Sequence, residues 1–270
     1  MTKIIQISDP HIVPKGQLAY GRVNTLDALG ACVETINRIL PDIGPVDMAI
    51  VTGDLTDFGT AEEYQTFRDI MGPLLIPYRA IPGNHDDVRE MRAGFSDQQW
   101  MPRSGPINWS VDLAEMALVG LDTSVPGKAH GHLTDETLDY LQDTLRSLNN
   151  KPVIVAIHHP PIHTGIEKMD IQNLRESRKL RTLLSGYKGE LKLVCGHIHR
   201  NIVRNFGGVI CQIAPGISHA VTLDMREDIP NCLTKEPGAF LMHEMRGGIL
   251  THSIPVGHFD GPHMFYPDTS

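Results

Sequence analysis

Met48-Ala49-Ile50-Val51-Thr52-Gly53-Asp54-Leu55-Thr56-Asp57 is an apolar run of strand character that stops at a glycine and a carboxylate. A short apolar run bounded by a turn signal reads as a buried strand, and Gly53 lets the chain turn sharply where it ends. Asp54 is thereby delivered at the carboxyl end of that strand. Four other apolar runs end in the same way. Ile4–Ser8 leads to Asp9 and His11, and Tyr78–Pro82 leads to Gly83, Asn84, His85 and Asp86. Val153–Ile157 leads to His158 and His159, and Leu191–Cys195 leads to Gly196, His197 and His199. Each piece alone is commonplace as a turn or a satisfied polar contact, and the joint occurrence after five separate strands is what points to a site.

Working outward, Asn24–Leu40 reads as a helix with apolar positions near the 3.6 period, stopped by Pro41. Thr60 with Glu63 three residues later reads as a capping box, opening a helix that ends at Gly72-Pro73. Strand, helix, strand, helix, strand in succession favours parallel pairing. Val88–Asn108 reads as a loop or short helical insertion. Trp109–Leu113 and Met116–Leu121 read as two short strands, Thr134–Leu148 and Gln172–Leu184 as helices. Beyond Asn201 only short alternating segments remain, at 202–205, 209–213, 239–244 and 249–254, and a second, mostly antiparallel sheet is their simplest use. The expected fold is α/β (α+β), a four-layer α-β-β-α sandwich of two packed mixed sheets with flanking helices and a small C-terminal cap. The tail from Pro255 to Ser270 is expected to fold over the site or onto a partner subunit.

Composition narrows the function classes. The 270 residues carry 24 Lys and Arg against 32 Asp and Glu, a formal charge of −8. This lacks the basic excess that draws a protein to nucleic acid or to an anionic membrane, so neither partner is expected. The amino terminus is too short in apolar residues for a secretory signal, and four cysteines without Cys-x-x-Cys spacing read as free thiols. A cytoplasmic location is the expectation.

Residues two apart at the end of an extended strand point the same way, so Asp9 with His11, and His197 with His199, read as two bidentate grips on metal. Asp54 has the carboxylate suited to joining two ions. Counted twice, it gives one set of Asp9, His11, Asp54 and His199 and a second of Asp54, Asn84, His158 and His197. Imidazole and oxygen donors without thiolate suit two divalent or trivalent transition-metal ions, Fe, Mn, Zn or Co. Two ions about 3.5–4 Å apart would generate a bridging hydroxide and clamp both oxygens of an in-line displacement at phosphorus.

These elements, Asp9-Pro10-His11, Gly53-Asp54, Gly83-Asn84-His85-Asp86, His158-His159 and Gly196–His199, resemble the motifs of the calcineurin-like metallophosphoesterase superfamily. A closer resemblance is to its bacterial glycerophosphodiesterase and class III cyclic-nucleotide phosphodiesterase branch. It rests on Leu18–Gly21, Glu62–Tyr64, Ile81–Asp87, Gly131–Glu136, His158–Pro161, Pro215-Gly216 and Gly261-Pro262. The resemblance implies hydrolysis of small phosphodiesters, glycerophosphodiesters or 3′,5′-cyclic nucleotides, often promiscuously. It also implies a homo-oligomer assembled through the carboxyl-terminal segment. Residues 1–222 are then the catalytic domain, and 223–270 a cap that partly completes the second sheet. Leu55–Gly59 stands where protein phosphatases of the superfamily carry an arginine, which disfavours a phosphoprotein substrate.

Asn84 and His85 are the expected catalytic groups, Asn84 holding a phosphate oxygen. His85 either protonates the leaving alkoxide or is a support held by Asp86. His159 is expected behind the metal ligands, and His219 either near the substrate or on a surface loop. A nuclease of the same superfamily and a metal-bound interaction scaffold without turnover are the competing readings.

Overall fold

The first third of the chain alternates strands with helices, and a computed structural model, describing residues 1–266, shows how they stack. The strands are β1 (Lys3–Ile7), β2 (Met48–Thr52) and β3 (Tyr78–Ile81), with α1 (Thr25–Ile43) and α2 (Ala61–Met71) between them. β1 pairs parallel with β2, and β2 with β3, as the alternation requires. Asn24 caps α1 by accepting from the Asp27 N–H, and Thr60 and Glu63 form the capping box expected at α2. Pro41 does not stop α1, which runs on to Ile43. Pro41 has no N–H to give the Asn37 carbonyl, and the helix carries on past it for only two residues.

The second third supplies α3 (Val88–Gly94), β4 (Trp109–Asp112), β5 (Ala117–Gly120), α4 (Asp135–Ser147), β6 (Val153–Ala156), α5 (Glu167–Asp170), α6 (Arg178–Gly186) and β7 (Leu191–Cys195). The helix expected over Gln172–Leu184 begins only at Arg178. Its first turns are lost because Leu174 is drawn into a parallel bridge with Gly131, with the Leu174 N–H on the Pro160 carbonyl and the Arg175 N–H on the Gly131 carbonyl. Glu176, at φ 54°, turns the chain before the helix starts.

The last third adds β8 (Ile202–Phe206), β9 (Val209–Ile213), β10 (Ala220–Val221), β11 (Leu233–Thr234), β12 (Ala239–Met245) and β13 (Ile249–Pro255). These strands do not make a sheet of their own. β12 and β13 extend the first sheet, in the order β13-β12-β1-β2-β3, while β8 and β9 extend the second, β4-β5-β6-β7-β9-β8. β1 is buried throughout and offers a free edge that β12, itself buried over five residues, fills. β10 and β11 form a separate two-stranded ribbon.

The two mixed sheets pack face to face, with helices outside. Ile154 and Val194 share a core with β1, β2, α1 and α2, while their neighbours Val153, Val155 and Leu193 share another with α4 and α6. That alternation is the period-two signature of a sheet covered on both faces. The tail after β13 lies along α1, where the Gly257 N–H donates to Thr35 Oγ1 and Arg38 bonds Gly257 and His258. None of its described residues lines the cavity over the strand ends, and residues 267–270 of the expected covering tail lie outside the described residues.

Candidate metal centre

The carboxyl ends of β1, β2 and β3 in one sheet meet those of β6 and β7 in the other, and the loops that follow are bonded together. The His11 N–H donates to the Asp54 carbonyl at 2.9 Å, the Gly196 N–H to the His158 carbonyl at 3.0 Å, and the His197 N–H to Asp9 Oδ1 at 2.9 Å. Asp9, His11, Asp54, His197 and His199 all take positive φ, between 46° and 74°. Such backbone is uncommon for residues with a Cβ and costs on the order of 1–3 kcal/mol each. It is not the extended backbone from which His197 and His199 read as one grip, and the two fall to different clusters.

Asp54 stands between the clusters. Its Oδ1 accepts the His85 N–H at 2.9 Å, and its Oδ2 lies 3.4 Å from His11 Nε2 and 3.3 Å from His158 Nε2. On the first side Asp9, His11, Asp54 and His199 group their donor atoms within 4.8 Å. His199 Nε2 is 3.1 Å from His11 Nε2 and 3.5 Å from Asp9 Oδ1. On the other side His158 Nε2 is 3.2 Å from Asn84 Oδ1, and His158, His159 and His197 group together. The structure therefore brings together all seven side chains expected to ligate. Two glycines make room for them, since a Cβ on Gly53 would lie 2.3 Å from His158 Nδ1 and one on Gly83 2.1 Å from Asp54 Oδ1.

His159 is closer in than the sequence suggests. Its ring centroid is 4.8 Å from His158 and 4.9 Å from His197, and its Nδ1 lies 2.8 Å from Thr123 Oγ1. Four buried polar atoms here lack any hydrogen-bond partner: Asp9 Oδ2, His159 Nε2, His197 Nε2 and His199 Nδ1. Buried polar atoms nearly always find partners. Unpaired carboxylate and imidazole atoms buried beside these clusters are donors of the kind that fits a cation-binding site.

The charge distribution agrees. Burial alone would push the His158 pKa down, but the Asp54 carboxylate outweighs it and raises it to about 9. Burial opposes the charge on Asp54 too, yet the imidazoles of His158 and His85 hold its pKa well below the ordinary value. Burial pushes His197 and His199 well down, so they present neutral imidazoles, the form that binds metal.

Carboxylates around the clusters fix these orientations. Asp57 Oδ1 takes His11 Nδ1 at 2.9 Å, leaving His11 Nε2 for the cluster. The Thr52 carbonyl accepts from His158 Nδ1 at 2.8 Å, with the same effect on its ring. Asp86 accepts from the N–H groups of Leu55, Thr56 and Gly83 and from the Thr56 and Tyr64 hydroxyls, which staples the Asp54 and Asn84 loops together. It does not hold His85, whose Nδ1 donates to the Asp57 carbonyl at 2.9 Å. Sequence reasoning missed Asp57, although it closes the stretch quoted first, because one more acidic residue in a turn carries no signal of its own. It missed Tyr20 as well, whose hydroxyl is 3.5 Å from His11 Nδ1.

A cavity of about 240 Å³ opens over the clusters. One wall is His11, Asp54, Asn84, His85, His197 and His199, and the other includes Tyr20, Met169, Gln172, His219, Asn231, Cys232 and Leu233. His219 is thus a buried cavity residue rather than a surface one, its ring 4.6 Å from that of His199. None of these lining residues is Lys or Arg.

Known proteins share both the sequence and the fold. The chain is 38% identical over 266 residues to a probable glycerophosphodiester phosphodiesterase of Arcobacter nitrofigilis, covering 97% of this chain and 96% of that one. It is 32% identical over 229 residues to a 3′,5′-cyclic adenosine monophosphate phosphodiesterase of Pseudomonas aeruginosa, covering 82% of this chain and 80% of that one. In fold it matches a dimetal phosphatase from Danio rerio with a TM-score of 0.63 at 11% identity, over 95% and 99% of the two chains. Residues 2–201, the span that holds every side chain of the two clusters, match the family described as calcineurin-like phosphoesterase, and the chain belongs to it.

Proposed function

We propose that this metal-dependent phosphoric diester hydrolase is dinuclear, that Asp54 joins its two ions, and that it cleaves small phosphodiesters such as glycerophosphodiesters or 3′,5′-cyclic nucleotides. The observation that carries this is Asp54 Oδ2, nearly equidistant at 3.4 and 3.3 Å from an imidazole nitrogen of each cluster. Asp9, His11, Asp54 and His199 would hold one ion, and Asp54, Asn84, His158 and His197 the other. Iron, manganese, zinc and cobalt all suit these donors. When bound, such a pair activates water at neutral pH and neutralises charge building on the phosphate oxygens.

The chain's own groups do the rest. Asn84, at the cavity edge, offers its amide N–H groups to a phosphate oxygen. His85 Nδ1–H is committed to the Asp57 carbonyl, so Nε2 is the atom left to deliver a proton to a departing alkoxide. His219 and Tyr20 close one side of the cavity above His11. A cavity without Lys or Arg suits a singly charged diester with an uncharged alcohol better than a doubly charged monoester. Similarity over 97% and 82% of this chain to the probable glycerophosphodiester phosphodiesterase and the cyclic adenosine monophosphate phosphodiesterase supports the same substrate class.

We place the protein in the cytoplasm on the four unpaired thiols; among the described residues no helix is long and apolar enough to cross a membrane. Exposed Phe259, Met264, Phe265 and Tyr266 support the C-terminal segment as a contact with a second copy. The decisive experiment strips the protein of metal, reconstitutes it with Mn²⁺, Fe²⁺, Zn²⁺ or Co²⁺, and compares glycerophosphoethanolamine, 3′,5′-cyclic AMP and p-nitrophenyl phosphate. Two ions per chain and preferential diester turnover are expected. Full activity in a protein verified free of metal would end this proposal.

A further inference from the structure

We infer that Gln6 is a positioning residue for the metal centre, held by a relay of buried and half-buried hydrogen bonds that starts at Lys192 on β7 and runs through β13 and β12. Gln6 is fully buried on β1. Its Nε2 donates at 3.0 Å to Thr52 Oγ1 on β2 and at 3.0 Å to the Cys195 carbonyl on β7. Those two residues immediately precede Gly53-Asp54 and Gly196-His197. One amide thus ties the ends of three strands, in both sheets, that deliver Asp9, Asp54 and His197.

From Lys192 to Thr52 the direction of every bond is forced. A carbonyl only accepts, so the nitrogen of the Gln6 amide faces Cys195 and its Oε1 faces His243 on β12, whose Nε2 lies 3.1 Å away and must carry the hydrogen. His243 Nδ1 then accepts from Thr251 Oγ1 at 2.8 Å, and Thr251 accepts from the Lys192 ammonium, which has only hydrogens to give. At the other end Thr52 Oγ1 has two acceptors for its hydrogen, Ser8 Oγ at 2.8 Å, adjacent to Asp9, and the Ile7 carbonyl at 3.3 Å. The order Lys192, Thr251, His243, Gln6, Thr52 has no member free to turn round. A side-chain amide with both ends committed cannot flip or slide, and the two sheets are held in one register beneath the clusters. The Gln6–His243 contact spans 237 residues of sequence.

This inference rests on the metal-centre reading above, and the test keeps the two apart. Metal-free wild type, Gln6→Met and Ile36→Val are titrated with Mn²⁺ by calorimetry, loaded with Co²⁺ for visible spectra, and melted. Ile36 is a fully buried α1 side chain outside the relay, so its variant reports general loss of stability. Gln6→Met is expected to lower Mn²⁺ affinity about tenfold, the low end of what loss of support behind metal ligands costs, and to shift the Co²⁺ bands, because Gln6 holds the residues that precede Asp54 and His197 and not a ligand itself. Ile36→Val should do neither. Thr251→Val, which removes the hydroxyl at constant volume, should weaken Mn²⁺ binding in the same direction, and Thr251→Ser should restore it; this pair decides if Gln6→Met does not fold. Wild-type affinity and spectrum in Gln6→Met, or an equal loss in Ile36→Val, overturns the inference. Fewer than two ions bound by the wild type would instead refute the dinuclear reading, while the variant comparison still reports on whichever ion binds.

Discussion

Asp57 Oδ1 lies 2.9 Å from Nδ1 of His11 and thereby decides which nitrogen of that imidazole faces the cavity. Burial works against a charged His11, but the Asp57 hydrogen bond, with the charges of Asp54 and Asp9, raises its pKa. Replacing Asp57 with Asn removes the charge and lets the ring turn. Loss of such a partner typically costs about 10–100-fold in metal affinity or activity. Calorimetric titration of metal-free Asp57→Asn with Mn²⁺ should show that loss at one of two sites. Two unchanged sites would mean that Asp57 does no more than fill space.

His158 makes metal uptake depend on pH. Its pKa stands near 9 in the folded, metal-free chain against an ordinary 6.5, so at pH 7 it carries a proton that a metal must displace. Titrations in buffers of different ionisation enthalpy should show at least one proton released per chain at pH 7 and fewer as the pH approaches 9. Stability moves the same way. A folded-state pKa above the unfolded one stabilises the metal-free protein fully below pH 6.5 and loses that contribution as pH rises through about 9. The melting temperature of the metal-free protein should fall across that window, and that of the loaded protein should not. Proton-neutral binding at pH 7 would contradict the charge assigned to His158.

Gly83 tests the close approach at Asp54. A Cβ there would sit 2.1 Å from Asp54 Oδ1 and 2.4 Å from the Asp54 nitrogen, and neither atom can yield without moving the carboxylate between the clusters. Gly83→Ala should therefore reduce the bound metal, measured by plasma mass spectrometry, to below one ion per chain. Gly30, inside α1, has nothing within 4 Å of an added Cβ. Gly30→Ala should raise stability by about 0.5–1 kcal/mol and leave metal content alone. Two ions retained by Gly83→Ala would show that Asp54 has room the geometry denies.

These cases also show which features local sequence could reveal. The strand ends were legible because an apolar run followed by glycine and a ligand-type residue is a short-range pattern, and the capping box at Thr60 and Glu63 is another. Partners chosen across long stretches of chain were not. Nothing in residues 239–255 says that they will extend the sheet of β1 rather than form their own, since that depends on an open edge more than two hundred residues earlier. The helix expected from Gln172 fails for the same reason, Leu174 being drawn into a bridge with the distant Gly131. The left-handed backbone at His197 and His199 was equally hidden, because bonds to other loops impose it.

His85 separates proton delivery from support of the metal ligands. Its Nδ1 is held at 2.9 Å by the Asp57 carbonyl, its side chain is one-third exposed at 33%, and it lines the cavity beside Asn84. If Nε2 protonates the leaving oxygen, the cost of removing it depends on how badly that oxygen needs a proton. An alkoxide leaving from glycerophosphoethanolamine needs one, whereas p-nitrophenolate leaving from bis(p-nitrophenyl) phosphate is stable without it. His85→Ala should therefore lower kcat about 10²–10⁴-fold on the alkyl diester, the usual range for a lost general acid, and far less on the aryl diester, at unchanged metal content. Equal losses on both substrates would assign His85 to holding the phosphate instead. A fall in bound metal would place its ring, 4.6 Å from that of His11, among the supports of the metal ligands.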